Sequence, residues 1–347
     1  MRRPVLASLI TLVAVLALVS APLAAQTKAA AKPAAKTSAI PRTPDGHPDF
    51  QGVYSNATNV PVARPANLGA KEFYTDEADR TASRQAPAAG RGGAAPAGGG
   101  RAGRGGGAAA AADPEGNGLA VHYSTEQFGL SGPSVVRAPS LRTSIISGPE
   151  GRVPALTPEA QKRAQDKQAY NRDHQWDGPE SRPLAERCIT WGHVGPPMMP
   201  VGYNSELQIV QGPGYVSVVQ EMIHDFRVIP TDNKPHLPSA IGQWMGDARG
   251  HWEGDTLVVE TTNFSGRTQV QGAWITDKLK VTEKFSMIDA ETVLYQFTVD
   301  DPGTWVKPWS GELTMTKIDA PLFEYACNEG NYGMANNLSG ARATEKK

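Results

Sequence analysis

The chain has 347 residues, of which 34 are Lys or Arg and 35 are Asp or Glu, for a formal net charge of -1. With no basic excess to neutralise phosphates, a nucleic-acid role driven by bulk charge is excluded, and so is an acidic solvating tail. Hydrophobic residues make up only 39% while Gly (36) and Pro (28) are frequent, which points to one medium-sized folded domain diluted by low-complexity sequence.

In chain order, Met1-Arg2-Arg3 is basic, Val5 to Val19 is almost wholly apolar, and Ser20 to Ala25 ends in small residues. That is the pattern of a secretory signal peptide over 1–25, because the apolar run falls short of the roughly 20 residues that span a bilayer. The expected location is therefore secreted or periplasmic, with no integral membrane segment once the signal is removed. Residues 26–40 form an Ala/Lys/Pro tether. Residues 85–117 form a Gly/Ala/Arg-rich insertion without apolar residues large enough to offset its ordering entropy, and it is expected to be disordered. Between them, 41–84 holds a short strand at Gly52-Val53-Tyr54-Ser55 and a helix starting at Thr75-Asp76-Glu77, both expected to pack on the main domain. Thr157-Pro158-Glu159 begins a second helix, mostly polar and so on the surface, running to about Arg172.

Residues 118–340 read as the main domain, and from Leu207 onward the period is two. Leu207 to Gln211 and Tyr215 to Val219 flank Gly212-Pro213-Gly214, and the strand pattern continues to Ile229. His251-Trp252 and Thr256 to Phe264 flank Glu253-Gly254-Asp255; Lys280 to Met287 and Thr292 to Asp300 flank Asp289-Ala290-Glu291; Glu312 to Ile318 and Leu322 to Cys327 flank Asp319-Ala320-Pro321. Successive hairpins without long helices between them predict a mainly β fold. The expected architecture is an antiparallel meander that closes as a lipocalin-like barrel or rolled sheet, with a few peripheral helices.

Several long words carry a resemblance. They are Pro41-Arg42-Thr43-Pro44-Asp45-Gly46, Glu221-Met222-Ile223-His224-Asp225, Gly246-Asp247 through Trp252-Glu253-Gly254-Asp255-Thr256-Leu257-Val258-Val259, and Glu324-Tyr325-Ala326-Cys327-Asn328-Glu329-Gly330-Asn331-Tyr332. The chain resembles a family of secreted bacterial proteins to which no activity is assigned, over nearly all its length outside the tether and the insertion. The resemblance implies export and a shared fold, and brings no activity with it. The likeness to lipocalin barrels is looser and says nothing of function.

Two cysteines in an exported chain usually pair, so Cys188 and Cys327 are expected to form a disulfide, with two buried free thiols as the alternative. Its loop of about 140 residues would contribute roughly 4–5 kcal/mol in the chain-entropy account. Among charged residues, continuous period two through Tyr215 to Ile229 would put Val216, Val218, Gln220, Met222, His224, Phe226 and Val228 on one face. Glu221, Asp225 and Arg227 would share the other. His224 and Asp225 would then point apart unless a bulge intervenes. Glu283 stands in an apolar row with Val281, Phe285 and Met287. Unpaired it would be a general acid, whereas a buried Arg or Lys would make it structural. Glu221, His224, Asp225 and Glu283 are therefore the catalytic candidates. Arg227 is a candidate anion clamp. Trp244, Asp247, Arg249 and Trp252 offer aromatic surface beside opposite charges, suited to a sugar or aromatic ring, and Tyr325, Glu329 and Tyr332 form a similar group. No histidine pair has HxH or HxxxH spacing, and no GxSxG, P-loop or GxGxxG follows a strand, so neither a metal nor a cofactor is expected. The readings are a binding module holding a small apolar, aromatic or sugar-like ligand inside the barrel, a hydrolase, lyase or isomerase using acid–base residues, and a structural or envelope-interaction protein. The expected partner is a small molecule, and the sequence leaves the oligomeric state open.

Overall fold

Alternating burial turns the period-two segments into strands. The computed structural model describes residues 39–85, 140–200 and 204–345. The expected signal peptide, all but the last two residues of the tether, and the insertion beyond Gln85 lie outside them. The strands are β1 (Gly52–Ser55), β2 (Glu206–Gly212), β3 (Tyr215–Gln220), β4 (Phe226–Pro230), β5 (Asp247–Glu253), β6 (Thr256–Thr262), β7 (Gln269–Val270), β8 (Ala273–Trp274), β9 (Lys280–Asp289), β10 (Thr292–Asp300) and β11 (Trp309–Ile318). Three helices, α1 (Glu77–Gln85), α2 (Pro158–His174) and α3 (Tyr332–Glu345), lie outside the sheet. In α2 the Ala160 N–H donates to Thr157 Oγ1 at 3.1 Å, and Ala160 is its buried residue, as a capped surface helix requires.

Nine strands form one sheet in the order β4-β3-β2-β1-β11-β10-β9-β6-β5, and β7 pairs with β8 apart from it. Each neighbouring pair in the large sheet is antiparallel. The early strand β1 is an integral member, slotted between β2 and β11. Val281, Phe285 and Met287 of β9, Val293, Tyr295, Phe297 and Val299 of β10, and Trp309, Leu313 and Met315 of β11 are buried in one main core. Met198 and Met199, from the stretch after Cys188, enter the same core at 0% and 1% exposure.

The mainly β meander stands, but no ladder joins β4 to β5 among the described residues. Topology supplies the reason. Alternating direction over nine strands leaves the first and last running the same way, so closure would demand a parallel pair, whereas every other pair is antiparallel. The two edges nevertheless approach. A Cβ placed on Gly250 of β5 would lie 2.9 Å from Ile229 Cγ2 on β4, so any larger residue there forces the two strands to shift. The N-terminal segment links the β5–β6 hairpin to β2. Arg42 pairs with Asp255 through two hydrogen bonds of 2.8 and 2.6 Å, His47 stacks on Trp252 at 4.1 Å, and the Phe50 N–H donates to Gln211 Oε1.

Two expectations are corrected. The strand pattern does not run unbroken from Tyr215 to Ile229. Met222–His224 form one 3-10 turn in which Ile223 and His224 have φ of 64° and 42°. Left-handed backbone is costly for a β-branched residue, and here it reverses the alternation. After the turn Arg227 and Ile229 point inward, while Phe226 (62%) and Val228 (51%) are exposed. Leu322 to Cys327 is not a strand either. Pro321 cannot donate to a ladder, and the main chain beyond it bonds to side chains and the 222–224 turn instead.

Candidate functional site at the seam of the sheet

Charged side chains gather in three places. The first is inside the sheet. Arg227 Nη1 and Nη2 donate to Glu283 Oε2 and Oε1, both at 2.6 Å, and Tyr295 OH donates to Oε1 at 2.7 Å. The Met198 N–H completes the chain by donating to Tyr295 OH. Burial works against the Arg227 charge, but the charge and hydrogen bonds of Glu283 outweigh it and hold its pKa above the ordinary value. Burial, reinforced by Glu283, drives the Tyr295 hydroxyl far above its usual range. Of the two alternatives for Glu283, pairing is what the structure shows. The neighbouring apolar space, lined by Phe50, Ile209, Val216, Val218, Ile229, Leu257 and Phe285, does not admit a water molecule.

The second group is the corner between β3 and β4. Glu221 is 1% exposed and accepts from Asn204 Nδ2 at 2.7 Å and from the Phe323 N–H at 2.8 Å. Its own N–H donates to the Glu206 carbonyl, which sets two glutamates opposite each other at the end of the β2–β3 ladder. Burial first, then the Glu221 charge, raises the pKa of Glu206. Burial likewise raises Asp225, whose Oδ1 accepts from the Phe226 N–H. What interrupts the alternation between β3 and β4 is the 222–224 turn and not a bulge, and the exposed His224 ring uses Nδ1 to donate to the Tyr325 carbonyl at 2.7 Å, not to reach Asp225. Tyr325 packs beside Met222 and Ile223, whereas Glu329 and Tyr332 are exposed beyond it, with Tyr332 at 73%.

The third group lies on the seam. Because β4 and β5 run the same way, the connection 231–246 has to return along the length of a strand. Its Lys234-Pro235-His236-Leu237-Pro238 stretch brackets a histidine with two prolines, which stiffen it. It is fastened where Asn263 Nδ2 donates to the Leu237 carbonyl at 2.8 Å and where the Gln243 N–H donates to the Asn263 carbonyl at 2.9 Å. Asp247, the first residue of β5, is 5% exposed. Its Oδ2 accepts from His236 Nδ1 at 2.8 Å and from the Leu237 N–H at 3.0 Å, and Oδ1 faces Arg249 Nη1 at 2.9 Å. Arg249 also donates Nε to the Pro235 carbonyl at 3.1 Å. On the other side of the ring, His236 Nε2 is 3.5 Å from Glu260 Oε1, and Glu260 Oε2 is 3.4 Å from Lys280 Nζ. Glu260 stands opposite Arg249 across the β5–β6 ladder.

This arrangement fixes the histidine. A buried carboxylate accepting from Nδ1 selects the tautomer whose Nε2 carries a lone pair, and it steadies the imidazolium that forms when that lone pair takes a proton. Asp247 and Arg249, expected together, are together; Trp244 lies on the connecting loop, 37% exposed. Trp252 does not join them. It is five residues along β5, about 16 Å away at the usual rise of a strand, and it packs with His47 and Phe50. The sequence reading missed His236 and Glu260, since a contact between a loop and the strand after it has no fixed spacing. The prolines around His236 were the available signal.

Behind the seam lies a satellite core of Val194, Met222 and Ile223, with Trp191, Met245, Tyr325 and Cys327 packed against it. Cys188 and Cys327 form a disulfide with Cα atoms 5.7 Å apart. Gly246, between Met245 and Asp247, has φ of 71°, and a Cβ there would come 2.5 Å from the Thr262 carbonyl. Glycine is thus required at the junction of the satellite core and the seam site. Among the described residues, no group of three or more His, Cys, Asp or Glu could hold a metal ion, and no helix is long and apolar enough to cross a membrane. No family model, curated protein or solved structure matches the chain.

Proposed function

We propose that the protein is an exported enzyme that performs acid–base chemistry on a small polar molecule at the seam, with His236 as the base and Asp247 as the residue that orients it. One observation carries the reading: a 5%-exposed carboxylate 2.8 Å from His236 Nδ1 leaves Nε2 on the other side of the ring. His236 Nε2 takes a proton from water or from the substrate, and the imidazolium so formed is held between Asp247 and Glu260. Arg249 and Lys280 supply positive charge beside the base, which suits a substrate carrying or developing negative charge. The reaction class is hydrolytic, lyase or isomerase.

The test compares the protein with its His236→Gln and Asp247→Asn variants on panels of small esters, lactones, phosphomonoesters and glycosides. Turnover in at least one panel, lost about 100-fold or more in His236→Gln with the fold retained, is the expected result. Equal turnover in all three proteins would refute the assignment. A second reading is an internal binding module, favoured by the apolar lining from Phe50 to Phe285. Because that space admits no water, a guest has to displace side chains, and native mass spectrometry of freshly purified protein would reveal one.

A further inference from the structure

We propose that the Cys188–Cys327 disulfide is a redox latch on the seam site, so that a dithiol reductant loosens His236 and Asp247 without unfolding the sheet. The inference rests on the seam being the working site. It follows from a chain of contacts that begins at the bond itself. Cys327 ends the tail segment whose Phe323 N–H donates to Glu221 and whose Tyr325 carbonyl accepts from His224. The tail thereby clamps the strained 222–224 turn from outside. The same tail places Tyr325 and Cys327 against Met222 and Ile223, beside Trp191 and Val194 from the stretch after Cys188. Met245 closes that satellite core, and a Cβ on Gly195 would come 3.2 Å from its Cγ. Met245 is two residues before Asp247, so the base and its orienting carboxylate are anchored through it.

The satellite core is small and separate from the main core. With few buried apolar residues of its own, it belongs to the low-stability part of the fold, which opens locally when a tie is cut. Both sulfurs belong to residues that are half-buried, within reach of a small thiol. A reductant thiolate attacks one cysteine sulfur, the S–S bond breaks, and the displaced cysteine thiolate takes up a proton. The reductant's second thiol, giving up its proton, then attacks the mixed disulfide and releases the other cysteine. Two electrons and two protons pass from the dithiol to the protein, leaving two thiols and a cyclic disulfide.

The full-length protein, oxidised or treated with dithiothreitol under native conditions, is compared by amide hydrogen exchange after thiol titration has verified reduction. Exchange over 222–225, 243–247 and 322–327 is expected to rise at least tenfold on reduction, to stay unchanged over β9 and β10, and to recover on reoxidation. Unchanged exchange in those three segments overturns the latch, and so does an equal rise throughout the sheet. The Cys188→Ser/Cys327→Ser double variant should match the reduced protein; a variant that matches the oxidised one would also overturn it. His236→Gln should keep the full exchange response to reduction, so failure of the catalytic assignment and failure of the latch are read separately.

Discussion

Arg227 on β4 and Glu283 on β9 form a bidentate ion pair at 2.6 Å, although six places separate their strands in the order of the sheet. Only rolling of the sheet brings them together, so the pair locks the curvature from inside. Among the described residues Arg227 Nε has no partner although it is buried, and two more of its donors are committed to Glu283. Glu283→Gln leaves a buried guanidinium without its counter-charge and should cost about 3–5 kcal/mol in denaturant unfolding. Replacing both partners, as Arg227→Met with Glu283→Leu, should cost less than Glu283→Gln alone. If Glu283→Gln unfolded at the wild-type midpoint, the pair would have no part in holding the roll.

Gly250 makes a second, steric test of the same roll. Valine there would place a Cβ 2.9 Å from Ile229 Cγ2 and 3.1 Å from Thr231 Cγ2, pushing the two edges apart. A loss of about 1–3 kcal/mol is expected, partly restored by adding Ile229→Ala. Thermal unfolding of the wild type and the two variants decides it; a Gly250→Val protein as stable as wild type would mean that the edges do not press on each other.

Glu206 predicts a pH dependence whose sign runs opposite to that of an ion-paired acid. Its folded pKa is raised, by burial and by Glu221. The native state therefore holds a proton that the unfolded chain has released, and this contribution is complete below the unfolded value and lost as pH rises through the folded one. Glu206→Gln carries no such charge. It should be more stable than wild type above the ordinary carboxylate range, with the gap closing as pH falls below about 4. Denaturant midpoints from pH 3 to 8 in both proteins measure this, and a gap that widens toward low pH would contradict it.

Alternation and turn residues made most of the sheet readable. Lys280 to Asp300 shows the clean period two that produced β9 and β10, and Gly212-Pro213-Gly214 marked the β2–β3 hairpin. Thr157 was legible as a cap, and the two cysteines as a pair, because each rests on local chemistry or simple counting. The turn at Ile223 and His224 was not legible. Neither residue is the glycine that announces left-handed backbone, and reading through it put Arg227 on the wrong face. Glu283 raised the right question, but its partner could be named only once that face was known. His236 stayed hidden for a different reason, since its contact with Asp247 depends on a loop retracing a strand.

That retracing follows from the parity of the sheet. An even number of alternating strands can end on a matched antiparallel pair and hide every backbone N–H and C=O of its edges. Nine cannot, and because β4 and β5 run the same way the chain needs the long return segment between them. Gain or loss of a single strand would set β4 and β5 antiparallel, and a short turn could then replace the long return that carries His236. The placement of His236 is in this sense a product of counting: the parity of the sheet obliges the chain to make the return segment on which it stands.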